Sequence, residues 1–366
     1  MTYAAVVYDK SKPLKIETVR HRALGPGEAL VRLAACGVCH SDLSILNELY
    51  PCPTPVILGH EAAGVVEAIG PDVTAVRPGD HVVALWRPSC GRCRYCRSGR
   101  PHLCKRGEDP TAEAADRVYV GEAPVHEFLG IGGFAERTIL REDALVKIDP
   151  AMPLDKAALL GCAVITGFGA ARNAAHVKPG DEVAVFGCGG VGLNIIQGAR
   201  RQGASVIVAV DLDDAKLALA RRFGATHVFD GRLEDLPKAI RKATTEGQGV
   251  DFAFDAVGDV NLINQAWRSL CKGGEVILVG IPHMKATASI SPIQSILSER
   301  GLRGSVAGSA GSAAFIGELV RLYQEGELNL DDLLTRRYSL REVNTALDDL
   351  RQGRNARGVL ILDQPD

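Results

Sequence analysis

The 366-residue chain has few aromatic residues and almost no net charge. Phe, Trp and Tyr make up 5% of it, and its formal net charge at pH 7 is -2. A net charge so close to zero gives no reason to expect a basic surface for nucleic acid or for anionic membranes, so we expect neither as a partner. No apolar run approaches the roughly 20 residues of a membrane span, and the N-terminus MTYAAVVYDKSKPLKIE does not resemble a secretory or transit peptide. We therefore expect a cytoplasmic protein.

The first part of the chain has the pattern of a small all-β domain. Short alternating stretches at 28–35, 62–69 and 81–85 are separated by the turn sequences GPGE, GPDV and RPGD. Regular short strands with Gly and Pro at the turns predict a β-barrel or a sandwich. The 46% hydrophobic content is enough for a large core, and the length suggests two domains.

A different pattern begins near residue 181. Five strand-like runs, DEVAVFG, SVIVAVD, THVFD, VDFAFDAVG and EVILVG, alternate with helical segments up to about residue 304. Four of these runs are almost continuously apolar, as parallel strands buried on both faces are. We therefore predict an α/β fold in which a doubly wound parallel sheet is inserted into the β domain. The predicted division is 1–163 with a lobe at 88–106, then 164–304, and then 305–366 as the return to the first domain.

The α/β region carries the glycine pattern G-x-G-x-x-G at Gly187, Gly189 and Gly192. The pattern follows the predicted strand 182–186 and opens a predicted helix at 191–202. In that context it is the fingerprint of a dinucleotide site, because the glycines allow a tight turn and close approach of the pyrophosphate. The amides at the helix start, including those of Gly190 and Val191, would face the phosphates.

An acidic residue in the expected place follows this fingerprint. Asp211 ends the second strand, nineteen positions after Gly192, where a carboxylate binds the ribose hydroxyls. It would repel a 2′-phosphate and no arginine follows it directly, so NAD is favoured over NADP. Lys216 is a second candidate for the ribose, although it is also the kind of lysine found on a solvated helix face.

Four cysteines lie within fifteen residues, at Cys90, Cys93, Cys96 and Cys104. Four thiolates at this spacing close a tetrahedral zinc site that leaves no open position, which predicts a structural zinc. Free cysteines in a loop and an iron–sulfur cluster are the alternatives, and nothing else in the sequence suggests electron transfer.

A second group of metal-ligand residues is spread along the chain. Cys39 begins the sequence Cys-His-Ser-Asp, and His60 and Glu61 follow a glycine further on. Cysteine and histidine are the ligands of a catalytic zinc with one open position. The third ligand would be distant, and Cys162 in LLGCAVITG is the candidate, although a lone cysteine there is more often a packing residue.

Together these motifs resemble those of the zinc-containing medium-chain alcohol dehydrogenases, over essentially the whole chain. The resemblance implies a GroES-like β-barrel catalytic domain built from both termini and an inserted Rossmann domain. It implies two zinc ions per chain, the catalytic one on Cys39, His60 and Cys162, with Glu61 as a carboxylate that can coordinate transiently. Cys36 is an alternative ligand, but the spacing to His60 fits Cys39.

The resemblance also implies roles for further residues. Zinc acts as a Lewis acid on the alcohol, and hydride passes to NAD. Ser41 resembles the hydroxyl that accepts the alcohol proton, and Asp42 the carboxylate that orients His60, with a plain turn aspartate as the alternative. The cofactor contacts implied are His40 and Arg357 at the pyrophosphate and Thr166 beside the nicotinamide, with a surface arginine and a packing threonine as alternatives.

Two positions bear on the substrate and on the proton path. Ser44 stands where the best-studied animal members end their proton relay with a histidine, so water or another group would complete the relay. Trp86 resembles an aromatic wall of the substrate pocket, with a packing tryptophan as the alternative. A large ring there favours primary alcohols or aldehydes, including aromatic ones.

Several activities and assemblies stay open at this point. A glutathione-dependent formaldehyde dehydrogenase is an alternative, but Arg87 is the nearest and a weak candidate for the glutathione carboxylate. The sequence also resembles nicotinoprotein alcohol dehydrogenases, whose cofactor stays bound. A non-catalytic protein that binds zinc and NAD is a reading of another class, although all three catalytic ligands are present. The loop at 105–136 resembles that of dimeric members, which predicts a homodimer, with a homotetramer as the alternative.

Overall fold

The computed structural model describes residues 2–107, 116–310 and 313–362. Two compact units are present, one formed by Met1–Ala163 and Gly311–Asp366 and the other by Val164–Ala310. We call them the barrel unit and the nucleotide unit. Residues 108–115 of the loop on which the homodimer prediction depends lie outside the described residues.

Strands in the described part of the chain are numbered in sequence order. They are β1 (Thr2–Val7), β2 (Lys15–His21), β3 (Glu28–Val38), β4 (Val56–Ile57), β5 (Glu61–Ile69), β6 (His81–Ala84), β7 (Val118–Val120), β8 (Ala123–Glu127), β9 (Arg137–Arg141), β10 (Leu145–Lys147), β11 (Glu182–Phe186), β12 (Val206–Asp211), β13 (His227–Asp230), β14 (Val250–Asp255), β15 (Leu270–Leu278), β16 (Gly301–Gly304), β17 (Arg336–Ser339) and β18 (Gly358–Ile361).

The α-helices are numbered in the same way, and short 3-10 turns are left without labels. The helices are α1 (His40–Leu46), α2 (Arg94–Arg97), α3 (Leu154–Leu159), α4 (Ile165–Gly169), α5 (Gly190–Arg201), α6 (Asp214–Phe223), α7 (Leu236–Ala243), α8 (Val260–Ser269), α9 (Pro292–Ser298), α10 (Ala313–Gln324) and α11 (Val343–Arg351).

The barrel unit contains two sheets. Strands β1, β2, β7, β8 and β4 form a closed barrel, and a seven-stranded sheet has the order β10-β6-β5-β3-β18-β17 with β9 also paired to β3. Alternating apolar residues of both sheets meet in one core that includes Val31, Ile57, Phe134 and Leu360. The three predicted strands correspond to β3, β5 and β6, so the prediction of an all-β pattern here is confirmed.

Strand β18 brings the C-terminal segment beside the start of α1. It pairs antiparallel with β3, with Gly358 opposite Val38 and Leu360 opposite Cys36. Because Arg357 directly precedes β18, this register places it next to the end of β3 and hence next to Cys39. A residue far along the sequence thus reaches the first candidate metal ligand.

The nucleotide unit is built on six parallel strands in the order β13-β12-β11-β14-β15-β16. The five predicted runs correspond to β11 to β15, and β16 is an additional strand that the apolar pattern did not indicate. The chain order reverses between β11 and β14, and ligands of doubly wound sheets bind at such a reversal. The prediction of an α/β fold is confirmed.

One apolar helical run is longer than we expected from the sequence. Helices α3 and α4, with two π-helical turns at Leu160–Val164 and Ala170–Ala174, form a run over Leu154–Ala174 whose length and composition match a membrane span. The expectation that no apolar run approaches this length is therefore wrong. However, 78% of the most apolar part of this run is buried inside the protein, as is common for a core helix.

Candidate metal centres and cofactor-binding site

Four potential metal ligands converge in the barrel unit. One ligand atom from each of Cys39, His60, Glu61 and Cys162 lies within 4.8 Å of the others, and all four residues are buried. Cys39 precedes α1, His60 lies between β4 and β5, and Cys162 lies in the π-helical turn Leu160–Val164. π-Helical turns are common at functional sites. The structure therefore brings together the three predicted zinc ligands and the predicted nearby carboxylate.

The chemistry of these atoms fits a metal ion. The Nε2 atom of His60 is buried and has no hydrogen-bond partner among the described residues, which is costly unless a metal uses its lone pair. The adjacent Cys162 thiol, with Arg357 and His60, holds the pKa of Cys39 well below its usual range. Cysteine sulfur and imidazole nitrogen atoms gathered this closely are the donor types that zinc prefers.

Asp42 contacts the histidine of this cluster. Its carboxylate is fully buried and accepts hydrogen bonds from the amides of Cys39 (3.0 Å) and Gly59 (2.9 Å). Its Oδ1 atom lies 3.4 Å from Nδ1 of His60. An Nδ1–H facing a carboxylate leaves Nε2 deprotonated for a metal. Asp42 is therefore more than a turn residue in this structure.

Glu61 is held by a buried arginine. Nη2 of Arg357 donates to Oε1 of Glu61 at 2.6 Å, while Nη1 donates to the carbonyl of Val38 at 3.2 Å. Burial raises the pKa of Glu61 to about 8 against the opposing effect of Arg357, and its Oε2 atom has no hydrogen-bond partner among the described residues. With 2% of its surface exposed, Arg357 is not a surface charge, so that alternative is wrong.

Other residues near Cys39 take distinct positions. Oγ of Ser41 lies 3.8 Å from Sγ of Cys39, whereas Oγ of Ser44 donates to the carbonyl of His40 at 3.0 Å. His40 itself is exposed at the start of α1. The alternative ligand Cys36 is not part of the ligand cluster, and burial raises the pKa of its thiol well above the usual value.

Two aromatic residues of the barrel unit, Trp86 and Phe128, differ in what they contact. Trp86 is half-buried, packs against the barrel core, and has the guanidinium of Arg87 5.9 Å from its ring centroid. Phe128 places its ring edge-on to His60, with centroids 5.5 Å apart and planes at 89°. Sequence reasoning missed Phe128, and only its place in the loop EFLGIGGF, close to the glycine turns, could have suggested it.

The four lobe cysteines form a second cluster. Their sulfur atoms all lie within 4.8 Å of one another, with Cys93 3.6 Å from Cys96 and 3.8 Å from Cys104. A tetrahedral site with Zn–S bonds of about 2.3 Å has sulfurs about 3.8 Å apart. The amide of Arg92 and neighbouring donors lower the pKa of Cys90 to about 6. The residues fit a tetrathiolate zinc.

The glycine fingerprint lies between β11 and α5 of the nucleotide unit. Gly187 has a φ of +94°, and a Cβ at Gly192 would lie 1.8 Å from the carbonyl oxygen of Gly187. Gly189 caps α5 with no atom within 4 Å of where its Cβ would be, so its outer side is open. The first-turn amides, which include those of Gly190 and Val191, have no partners within the helix. The cradle fits a pyrophosphate.

Asp211, the last residue of β12, contacts this turn. Its Oδ2 accepts from the amide of Cys188 at 2.7 Å, and its Oδ1 accepts from the amides of Leu212 and Asp213. These bonds fix the carboxylate at the end of β12, where a ribose would need it. Lys216 is half-buried in the first turn of α6. Thr166 is half-buried on α4, and its predicted role stays a prediction.

Comparisons with known proteins agree with this geometry. Residues 25–150 match the family model of the alcohol dehydrogenase GroES-like domain, and residues 190–340 match that of zinc-binding dehydrogenases. A relative named NDMA-dependent alcohol dehydrogenase, from Amycolatopsis methanolica, is 40% identical over 98% of each chain. The chain belongs to the zinc-containing medium-chain alcohol dehydrogenases.

Two further relatives of this dehydrogenase bear on its activity. One, named S-(hydroxymethyl)glutathione dehydrogenase and from Saccharomyces cerevisiae, is 38% identical over 99% of this chain and 96% of its own. The solved structure of benzyl alcohol dehydrogenase from Acinetobacter calcoaceticus matches with a TM-score of 0.93 and 34% identity over 99% of both chains. The GroES-like and Rossmann predictions are confirmed, and the chain is a zinc-dependent alcohol dehydrogenase that uses a nicotinamide cofactor.

Proposed function

We propose that this dehydrogenase interconverts primary, including aromatic, alcohols and their aldehydes with NAD. The observation that supports the proposal best is the convergence of Cys39, His60 and Cys162, with the Nε2 atom of His60 lacking a hydrogen-bond partner in the described part of the chain. A zinc ion held by these residues would supply Lewis acidity toward an alcohol oxygen and lower its pKa. In this proposal Glu61 is the fourth potential donor and is kept at the edge of the cluster by Arg357.

The residues around the cluster would hold and move protons. Asp42 keeps the proton of His60 on Nδ1, as the 3.4 Å contact between them indicates. The hydroxyl of Ser41, adjacent to Cys39, accepts the proton of the alcohol in this proposal and passes it onward. Ser44 does not continue the path, because its hydroxyl is already bonded to the carbonyl of His40. Water or a cofactor hydroxyl would therefore complete the relay.

The proposed substrate class depends on the pocket residues Trp86 and Phe128. Both are large rings in the barrel unit, and Phe128 contacts His60 directly. Rings at such positions narrow the space for branched secondary alcohols and offer apolar surface to an aromatic ring. The similarity to a benzyl alcohol dehydrogenase supports the same class.

We infer two zinc ions per chain. The lobe site would hold the second ion by the thiolates of Cys90, Cys93, Cys96 and Cys104, a set of four that leaves no position for substrate. This ion would be structural. All four ligands belong to one short segment. Loss of this zinc ion should therefore disorder the lobe and have a smaller effect on the rate of the reaction.

The proposed preference for NAD over NADP rests on the carboxylate of Asp211. The position of Arg232 is an observation that favours NADP instead. Nη2 of Arg232 donates to the carbonyl of Leu212 at 2.9 Å, which brings a cation close to the ribose end of the fingerprint. However, the same guanidinium is paired with Asp230 at 2.8 Å, so its charge is already balanced. We therefore expect kcat/KM to be higher with NAD than with NADP, and a higher value with NADP would contradict the assignment.

A second candidate is a nicotinoprotein whose cofactor does not exchange. It is favoured by the similarity to an enzyme named for its dependence on NDMA. Such a protein would keep a nicotinamide absorbance through gel filtration and turn over only with an artificial acceptor. A glutathione-dependent formaldehyde dehydrogenase is the alternative suggested by another relative, and it would oxidise formaldehyde only when glutathione is present.

One set of measurements tests these proposals. Protein purified without added cofactor is analysed for zinc and for ultraviolet absorbance, and then assayed with benzyl alcohol and NAD. We expect about two zinc ions per chain and steady NADH release. One zinc ion and no turnover with any alcohol or aldehyde would overturn the catalytic assignment, and would leave a non-catalytic protein that binds zinc and NAD.

We also propose that two copies associate through the nucleotide unit. Strand β16 is an exposed sheet edge, and the neighbouring helix α9 exposes Ile296 and Leu297 by 71% and 73%. Unpaired sheet edges with apolar neighbours favour pairing with a second strand of the same kind. Light scattering should give a dimer that Leu297→Glu converts to monomer, and a tetramer would revise the assembly.

The ten free cysteines support a reducing compartment such as the cytoplasm.

A further inference from the structure

Glu127 is a buried acid that the proposed reaction does not use. It ends β8, directly precedes Phe128, and exposes only 1% of its surface. Its Oε2 atom is buried and has no hydrogen-bond partner among the described residues. An ionised carboxylate in such a place is costly, which favours its protonated form.

Hydrogen bonding around Thr138 indicates which form is present. Oγ1 of Thr138 lies 2.7 Å from the carbonyl oxygen of Ile131 and 3.0 Å from Oε1 of Glu127. A carbonyl oxygen can only accept and a hydroxyl has one proton, so Thr138 uses its proton on Ile131 in the shorter contact. The contact with Glu127 then needs a proton from the carboxyl group.

We propose that Glu127 is a protonated carboxylic acid at neutral pH, and that its hydrogen bond to Thr138, continued to the carbonyl of Ile131, is a positioning device for the turn that holds Phe128 against His60. Glu127 is thus a positioning residue that acts through Phe128. For its effect on catalysis this inference rests on the proposed role of His60, whereas the protonation of Glu127 does not.

Charged neighbours do not remove the need for this proton. Nη1 of Arg117 is 3.9 Å from Oε2 of Glu127, while its Nε atom is 3.2 Å from Glu28. Arg22 also pairs with Glu28, at 2.7 Å. Arg117 is thus closer to Glu28 than to Glu127, and Arg22 is also paired with Glu28. Burial raises the pKa of Glu127 to about 8, with Glu28 acting in the same direction and Arg117, Thr138 and Arg22 in the opposite one.

The turn that follows Glu127 folds back on it and reaches the histidine. A Cβ at Gly132 would lie 3.0 Å from Cγ of Glu127, so the turn backbone packs on the glutamate stem. The amide of Gly133 donates to the carbonyl of Gly59 at 2.8 Å, and Gly59 directly precedes His60. A change at Glu127 therefore reaches His60 both through this backbone contact and through the ring of Phe128.

The first test is infrared spectroscopy of the whole protein. We expect wild type at neutral pH to show the carbonyl band of a protonated carboxylic acid that Glu127→Gln lacks and that fades as pH rises through about 8. Glu122→Gln is the matched control, because Glu122 lies on the same hairpin with a side chain that is 97% exposed. A spectrum in which Glu127→Gln removes no such band would overturn the proposal.

The second test follows thermal stability against pH. A carboxyl whose pKa is raised on folding keeps a proton that the unfolded chain releases, so stability falls as pH rises from about 4.5 to about 8. Glu127→Gln lacks this loss, and its Tm relative to wild type should therefore increase across that window and then level off. An unchanged difference in Tm over the window would contradict protonation of Glu127.

The third test concerns positioning. Thr138→Val breaks the hydrogen-bond chain and should lower kcat roughly tenfold, in the range of losses for groups that orient metal ligands, whereas Thr138→Ser should restore it. Activity of wild type should also decline as pH rises through about 8, and Glu127→Gln should remove that decline. If Thr138→Val leaves kcat unchanged and Glu127→Gln leaves the pH profile unchanged while wild type shows the infrared band, Glu127 is protonated but the positioning role is wrong. If no enzyme form turns over, the proposed function has failed separately.

Discussion

The two cysteine clusters of the barrel unit differ in where their ligands come from and in what they leave open. The lobe takes four identical donors from one segment of fifteen residues, most of them half-buried. The deeper cluster takes Cys39, His60 and Cys162 from three distant parts of the chain, and all are buried. Its fourth potential donor, Glu61, is bonded to Arg357 instead of facing the cluster with both oxygens free.

In the proposed function, this difference separates a structural site from a reactive one. Four thiolates satisfy a tetrahedral zinc and exclude substrate, while three ligands leave one position open. The deeper cluster also has partners that orient its ligands, namely Asp42 at His60 and Arg357 at Glu61. Substitutions at one cluster should therefore affect chemistry, and substitutions at the other should affect stability.

The largest effect is expected for His60→Ala. Removal of this ligand should abolish zinc binding at the deeper cluster and lower kcat by roughly a thousandfold, because metal Lewis acidity contributes several kcal/mol. Zinc content should fall from two to one per chain while Tm changes little. His126→Ala, a histidine outside both clusters, is the control. Full zinc content in His60→Ala would break the comparison.

The opposite pattern is expected for Cys104→Ser. The lobe zinc should be lost and Tm should fall, because a structural zinc contributes directly to folding. The fraction that stays folded should retain most of its kcat. Cys271→Ser, a cysteine of the nucleotide unit, should change neither zinc content nor Tm. Loss of activity without loss of stability would mean that the two clusters are not separate in function.

A smaller effect is expected for Asp42→Asn. The amide oxygen of asparagine is a weaker acceptor for Nδ1 of His60 than a charged carboxylate, and losses of this kind lower metal affinity or activity by roughly 10-fold to 100-fold. Competition with a chelator should release one zinc per chain faster than in wild type. An unchanged release rate would show that Asp42 only caps the start of α1 through the amide of Cys39.

The smallest effect is expected for Ser44→Ala, which sharpens the distinction within the deeper site. The hydroxyl of Ser44 is bonded to the carbonyl of His40, so its removal should change kcat by less than about twofold, as expected for the loss of one modest helix hydrogen bond. Ser41→Ala should cost much more, because Ser41 lies beside Cys39. Equal losses for the two variants would return Ser44 to the proton path.

The sequence predicted those features whose parts lie close together along the chain. The lobe cysteines, the glycine fingerprint and the strands β11 to β15 all follow from local spacing or apolar runs. Cys162 needed the resemblance to a family, because nothing local distinguishes a ligand from a packing cysteine. The contact of Phe128 with His60 and the ion pair of Arg357 with Glu61 depend on long-range strand pairing, which no local pattern encodes.

Anomalous diffraction at the zinc edge, measured on crystals of the protein purified without added metal, tests the central claim most directly. The account predicts two peaks per chain, one among Cys39, His60 and Cys162 and one among the four lobe cysteines. A peak at the lobe alone, with the deeper cluster closed by hydrogen bonds between its own side chains, would contradict it.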